Sequence, residues 1–322
     1  MDLKTDSRII SESGKLKKFL TTPSCGRDAI LDYVKKRITL GNKSVILCFR
    51  GNAATLYYRG EMLLKITYLP RLKEVRGEFD FRHSRFSPDY REKQALLTSY
   101  GVRFKQNDPC YNSLIRFTVS GENEVDGENI AKILDIYCAL IDEFLSEELT
   151  GHQYDVPSVK RKKMPHIERN VQQRLFSERF YETDGVTYYD IEYAEHRSTD
   201  KSVHGRFDLL GLERSGDGYN LVFTELKSTK KACTGNSGVK NHLDDYLGYC
   251  NGNEKMLETR KREAVSAMRL FHEILGKPYP ENLSESNVTD VKIRFLFTGE
   301  AIAYKDAVPQ SDGIEVEIRE DL

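Results

Sequence analysis

The stretch His204–Lys227, HGRFDLLGLERSGDGYNLVFTELK, constrains this chain more than any other. Ser215-Gly216-Asp217-Gly218 is a turn signal between two apolar runs, Val203–Leu212 and Tyr219–Lys227, so the segment reads as a β-hairpin. Leu209, Leu210, Val222, Phe223 and Leu226 make both strands apolar, yet Asp208, Glu225 and Lys227 sit among them. If Gly216-Asp217 is the two-residue turn, Asp208 faces Glu225; if Asp217-Gly218 is, Asp208 faces Lys227. Both registers put Asp208, Glu225 and Lys227 on one face, and a bulge near Gly211 would shift them. Directly opposed residues hold their Cβ atoms roughly 4.5–5.5 Å apart. Two carboxylates that close repel unless a cation lies between them, and a divalent metal with oxygen ligands removes the problem. The plainer alternative is a structural Asp–Lys or Glu–Lys pair across a half-exposed hairpin.

The elements around the hairpin follow a clear order. Ile167–Phe180 has helical spacing, Val186–His196 is a strand rich in tyrosine, and Val239–Cys250 and Glu254–Leu275 are helices. Gly276, Lys277 and Pro278 end the second of these, and Val291–Thr298 and Ile314–Ile318 are later strands. Helix, three-strand meander, helix, strand predicts an α/β (α+β) class with a mixed sheet flanked by helices. Thr150–Pro165, with Gly151, Pro157, Pro165 and the basic run Lys160–Lys163, reads as a linker. The expected division is therefore 1–149, 150–165 and 166–322.

This pattern resembles the PD-(D/E)XK nuclease superfamily over roughly Lys160 to Thr298. The resemblance implies a mixed sheet flanked by helices and metal-dependent cleavage of phosphodiester bonds. It implies that Asp208 and Glu225 are metal ligands, that Leu226 contributes its backbone carbonyl, and that Lys227 orients or activates the attacking water. Glu168 matches a glutamate often found near the metal on the preceding helix; an exposed first-turn glutamate, favoured by the helix dipole, is the alternative. His242 and Tyr246 stand four apart on one helical face, where some members carry Gln and Tyr. His242 departs from that pattern and reads as a phosphate contact, a water-positioning group or a surface histidine. Phe207 stands where the motif name has proline. Parity puts Arg206 on the Asp208 face, to hold a phosphate or to neutralise Glu225. Lys230, with Lys231, Lys240 and Lys160–Lys163, would supply a local basic surface.

The all-oxygen donor set points to Mg²⁺, with Mn²⁺ as a substitute. The expected substrate is nucleic acid, DNA ahead of RNA, and the expected role is a DNA endonuclease of defence or restriction type. The alternative is a nuclease-fold module that binds nucleic acid or a partner protein without cutting. The sequence does not set the oligomeric state, and a homodimer is one assembly it allows.

Composition narrows the field. At 322 residues, 39% hydrophobic and 31% charged, the chain has material for about two domains with real cores. Its apolar runs are strand-sized, short of the ~18–20 residues of a membrane helix, so no membrane is expected. With 49 basic and 50 acidic residues there is no global attraction to polyanions. The six cysteines lie far apart without a C-x-x-C pair, and MDLKTDSRII lacks a signal-peptide apolar stretch. A cytoplasmic setting is the expectation.

In residues 1–149, Asp28–Arg37 reads as a helix begun by Ser24, Ser44–Phe49, Thr55–Arg59, Met62–Tyr68 and Asn112–Val119 as strands, and Asn129–Glu148 as a strong helix. Arg59, Arg82, His83 and Arg85 with Tyr57, Tyr58, Phe79, Phe81 and Phe86 could form a base-stacking, phosphate-gripping surface for substrate recognition. Alternatively, the aromatics point into a β core and the arginines into water.

Overall fold

The computed structural model describes residues 15–50, 53–69, 71, 74–80, 87, 89–104, 112–117, 127–145, 167–181, 185–194, 206–235, 238–250 and 254–322. The chain is mixed α+β and divides into two compact units between Pro165 and His166. The expected linker at 150–165 lies outside the described residues.

In the first unit, α1 (Lys15–Thr21) precedes α2 (Cys25–Arg37). Ser24 caps α2: its hydroxyl accepts from the Arg27 amide at 3.3 Å, satisfying a donor that the first turn leaves open. There follow β1 (Val45–Arg50), β2 (Ala53–Tyr58), β3 (Glu61–Leu69), β4 (Glu74–Asp80), α3 (Tyr90–Ser99), β5 (Arg103–Phe104), β6 (Asn112–Phe117) and α4 (Gly127–Leu145). The strands form one antiparallel sheet in the order β1-β2-β3-β4-β6-β5. Ile130, Ile133, Leu134, Tyr137, Leu140 and Ile141 form the buried stripe of α4 at helical spacing. Tyr33 and Arg37 of α2 tie to Asp135 of α4 at 2.7 and 2.8 Å.

In the described part of the aromatic–basic stretch, Tyr58 and Phe79 belong to the core, while Tyr57 and Arg59 are half-buried. Tyr58 and Phe79 are buried, and Phe79 stacks on Tyr137 with centroids 4.2 Å apart. The Tyr58 hydroxyl and the Arg59 guanidinium both bond Asp142 of α4, at 3.0 and 2.7 Å. Aromatics on alternating strand positions pack against the helix because that removes most apolar area from water. Arg82, His83, Arg85, Phe81 and Phe86 lie outside the described residues.

The second unit runs α5 (Ile167–Glu178), β7 (Val186–Ala194), β8 (Arg206–Ser215), β9 (Gly218–Lys227), α6 (Val239–Cys250), α7 (Glu254–Leu275), β10 (Val288–Thr298) and β11 (Ile314–Arg319). Its sheet has the order β11-β10-β9-β8-β7. β7, β8 and β9 are an antiparallel meander, while β9–β10 and β10–β11 are parallel, so the sheet is mixed. Parallel pairing of β9 with β10 requires a long crossover, and α6 and α7 form it.

The β8–β9 ladder ends at Ser215–Gly218, so Gly216-Asp217 is the turn, and Gly216 has the positive φ of 58° that such a turn favours in glycine. The register is unbroken past Gly211; the irregularity falls instead on β7, between Tyr188 and Asp190. Gly211 is needed for a different reason: a Cβ there would come within 2.5 Å of Val186 Cγ1. β9 carries nine consecutive buried residues, Tyr219–Lys227, as a central strand covered on both faces does. On α6, Tyr246 and Tyr249 pack on Phe207, with centroids 4.7 and 5.0 Å away. On α7, Phe271 meets Phe176 of α5 and Phe180 just beyond it. No helix among the described residues is long and apolar enough to cross a membrane.

Candidate active site

Glu225 is the hub. It is 4% exposed, near the end of β9, and three side chains converge on its carboxylate. Lys227 Nζ donates to Oε1 at 2.7 Å, as alternation along a strand allows for residues two apart. His242 Nδ1 lies 2.9 Å from the same oxygen. The Tyr246 hydroxyl donates to Oε2. His242 and Tyr246 are one helical turn apart on α6, so one face of that helix delivers both donors. Burial alone would raise the Glu225 carboxyl, but the His242 hydrogen bond and the Lys227 charge outweigh it and hold it below the usual carboxylate range.

Asp208 is in the opposite condition. The β8–β9 ladder stops at Leu209–Thr224, and one residue on, the Asp208 carboxylate replaces a ladder acceptor: Oδ2 takes the Leu226 amide proton at 2.7 Å. Burial, then the charge of Glu225, then that of Glu168 push the Asp208 carboxyl well above its ordinary value, against the Leu226 amide and Lys227. Glu168, in the first turn of α5, is therefore electrostatic company for Asp208. Two acids acting on Asp208, with a buried lysine beside them, form a locally negative site that a cation would relieve.

Carboxylate oxygens are the kind of donor a hard cation takes. An ionised carboxylate has about four lone-pair sites. Lys227 and His242 use Glu225 Oε1, Tyr246 uses one site on Oε2, and the Leu226 amide uses Asp208 Oδ2. Among the described residues, however, no group of three or more His, Cys, Asp or Glu side chains is already gathered around one point. Lys227 supplies the positive charge at Glu225 in this arrangement, and His242 a ring nitrogen.

The remaining residues divide as follows. Tyr246 is buried at 1% exposed, wedged between Phe207 and Phe295, with its hydroxyl donating to Glu225. A tyrosine whose ring fills a core pocket must satisfy its hydroxyl internally. Lys230 and Lys231 are exposed on a short 3₁₀ turn, Lys230–Cys233, capped by Thr229. Arg206 begins β8, and its side chain lies outside the described residues. Cys233, which sequence reasoning passed over, is buried within electrostatic reach of Lys227 and Glu168. Burial keeps its thiol protonated, and its spacing carries no motif that would have flagged it.

Compared with protein-family models, curated proteins and solved structures, the chain finds no match.

Proposed function

We propose that the second unit is a metal-dependent nuclease of the PD-(D/E)XK type, with DNA as its substrate and endonucleolytic cleavage in a defence or restriction-type role. One observation carries the reading. A buried Glu-x-Lys pair on a central strand sits beside an aspartate whose charge is disfavoured by two neighbouring acids. Structural ion pairs balance charge; this cluster leaves Asp208 with excess negative potential facing Glu225 and Glu168.

In this reading Asp208, Glu225 and the Leu226 carbonyl hold a Mg²⁺ ion, with Mn²⁺ as a substitute, and Glu168 completes its surroundings. When bound, such an ion lowers the pKa of a coordinated water and stabilises charge on the phosphate. Lys227 orients the attacking water and adds positive charge where negative charge develops. His242 and Tyr246 fix the Glu225 carboxylate so that its free lone pair keeps one direction. Lys230, Lys231 and Lys240, all exposed near the end of β9 or in the first turn of α6, offer phosphate contacts.

The test is incubation with circular single- and double-stranded DNA, linear DNA and RNA, in Mg²⁺, Mn²⁺ or EDTA. Metal-dependent cutting of circles, lost with Asp208→Ala, is the expected result. Cleavage that persists in EDTA, or no cleavage of any substrate, overturns the reading.

A second reading rests on a different observation: both Glu225 oxygens already have internal donors. That satisfied state suits a nuclease-fold module that binds nucleic acid or a partner protein without cutting. Binding without metal-dependent cleavage distinguishes it.

A further inference from the structure

The sheet of the second unit ends in two unlike edges. β7, at one end, is buried from Val186 to Ile191, and its ladder is interrupted between Tyr188 and Asp190. Cover and an irregular ladder are two of the ways in which proteins blunt an edge strand. β11, at the other end, is built differently. Its ladder to β10 runs without a shift from Ile314 to Arg319, and among the described strands β10 is its one hydrogen-bonded neighbour. No proline, glycine or lysine interrupts IEVEIR. A regular strand with one side open presents amide and carbonyl groups to a further strand.

The side chains of β11 sort by face. Parallel pairing sets Val316 level with Phe295 and Glu225, and Ile318 level with Phe297 and Lys227, so the apolar side chains of β11 share the face of the buried Glu-x-Lys pair. Phe295 and Phe297 are fully buried, whereas Val316 and Ile318 are 44% and 39% exposed. Glu315, Glu317 and Arg319 alternate with them on the opposite face. Glu315 and Glu317 are tied to Arg294, and Glu317 also to Arg179.

The order of charges selects the partner. Two copies of β11 related by a twofold axis normal to the sheet run antiparallel, and each residue keeps its face. Directly opposed residues share a face, so only registers that pair residues of like parity are allowed. Two of these pair all but one residue of the strand. One centres on Val316 and twice sets Glu315 against Glu317 of the second copy, a like-charge pairing that opposes association. The other centres on Glu317, and twice sets Val316 against Ile318 and Glu315 against Arg319. The two Glu317 side chains meet at the axis, but Arg294 and Arg179 hold each carboxylate to its own copy. In this register the apolar face and the charged face are both self-complementary.

We propose that β11 is the contact between two copies of this chain, paired antiparallel about Glu317 into one sheet that continues through both. With the axis normal to the sheet, the Glu225 carboxylates of the two copies lie on the same side of it.

The test is sedimentation velocity of the full chain over a concentration series, in EDTA and without nucleic acid. The expected species is a dimer that dissociates on dilution. Val316→Lys places an ammonium on the open edge at an exposed position, so the fold is retained and dimerisation should weaken at least about tenfold. Disulfide trapping reads the register. Mixed Val316→Cys and Ile318→Cys proteins should cross-link to each other above the background of the native cysteines. Val316→Cys alone should not, because the same residue of the second copy lies two positions out of line, beyond disulfide reach. A monomer at every concentration leaves the edge to another partner and overturns the proposal. So does a dimer that Val316→Lys leaves intact, or cross-linking of Val316→Cys to itself.

Discussion

The Tyr246 hydroxyl donates to Oε2 of Glu225, while Lys227 donates to Oε1 of the same carboxylate. A helix residue and a strand residue therefore clamp one buried acid from two sides, and His242 reinforces the lysine's side. The clamp explains why Glu225 stays ionised in the core while Asp208, with a single amide donor, is driven toward its neutral form.

Removing one jaw of the clamp separates positioning from packing. Tyr246→Phe keeps the ring between Phe207 and Phe295 and deletes only the hydroxyl. A hydrogen bond to a buried charge is worth about 1.5–3 kcal/mol, so the urea midpoint should fall accordingly. Metal-dependent cleavage should fall about tenfold, with the substrate KM nearly unchanged. A stability loss with full cleavage would reduce Tyr246 to a packing residue.

Lys227→Met probes the ammonium. Glu225 retains His242 and Tyr246 but loses its closest full charge, and breaking a buried pair costs about 3–5 kcal/mol. Without divalent cations the variant should unfold at lower urea, and added Mg²⁺ should recover part of the loss. Cleavage should fall by about 10²-fold or more, with nucleic acid still bound. Wild-type cleavage by this variant would place the chemistry elsewhere.

Asp208→Asn should move stability and activity in opposite directions. The amide still accepts from Leu226 and removes the acid that Glu225 and Glu168 both disfavour, so stability in EDTA should rise. Cleavage should disappear with the charge. Urea titration and the circle assay on one preparation check both halves; a destabilised variant would contradict the charge imbalance inferred at this site.

Much of this arrangement is legible in the residues, and the limits have physical causes. The helices Val239–Cys250 and Glu254–Leu275 occur where apolar spacing and the Gly276 stop place them. The hairpin turn is Gly216-Asp217, one of the two registers that the glycines permit. Short or weakly apolar elements such as β5 and α3 carry too little periodicity to be read, because tertiary pairing and not local pattern forms them. Parity also misses what happens at Asp208, where the ladder ends and a side chain takes over a backbone acceptor's role. The dual use of Tyr246, ring in the core and hydroxyl on Glu225, needs the distance between α6 and β9, which no spacing within α6 encodes.

A network at the other side of the sheet provides a control. Arg294 on β10 bonds Glu213, Glu315 and Glu317, at 2.7, 2.6 and 3.3 Å, and is 8% exposed. Arg294→Met leaves Glu213 and Glu315 with Lys292, and Glu317 with Arg179. A loss of about 3–5 kcal/mol in urea unfolding is expected, with metal-dependent cleavage per folded molecule unchanged. Loss of cleavage in the folded fraction would tie this network to the active site.

The last prediction concerns Lys277 and pH. Burial lowers its folded-state value from 10.5 to about 7, while the unfolded chain keeps the proton to about pH 10.4. Between those values the unfolded state binds more protons than the folded state, so stability rises with pH. Below about pH 7 both states are protonated and the full cost of burying the charge is present. As pH climbs through 7, the folded amine sheds its proton and the cost is progressively relieved, until the unfolded lysine titrates as well. Lys277→Met carries no such cost. Its advantage over the wild type should be largest near pH 6 and shrink steadily toward about pH 10. Burial is the cause of the shift, so the difference between the two proteins reports the titration of Lys277 itself. Urea midpoints of the two proteins at several pH values across this window measure it. Parallel pH profiles would show that Lys277 keeps its proton throughout, and a difference that widens with pH would show a buried lysine paired with an acid.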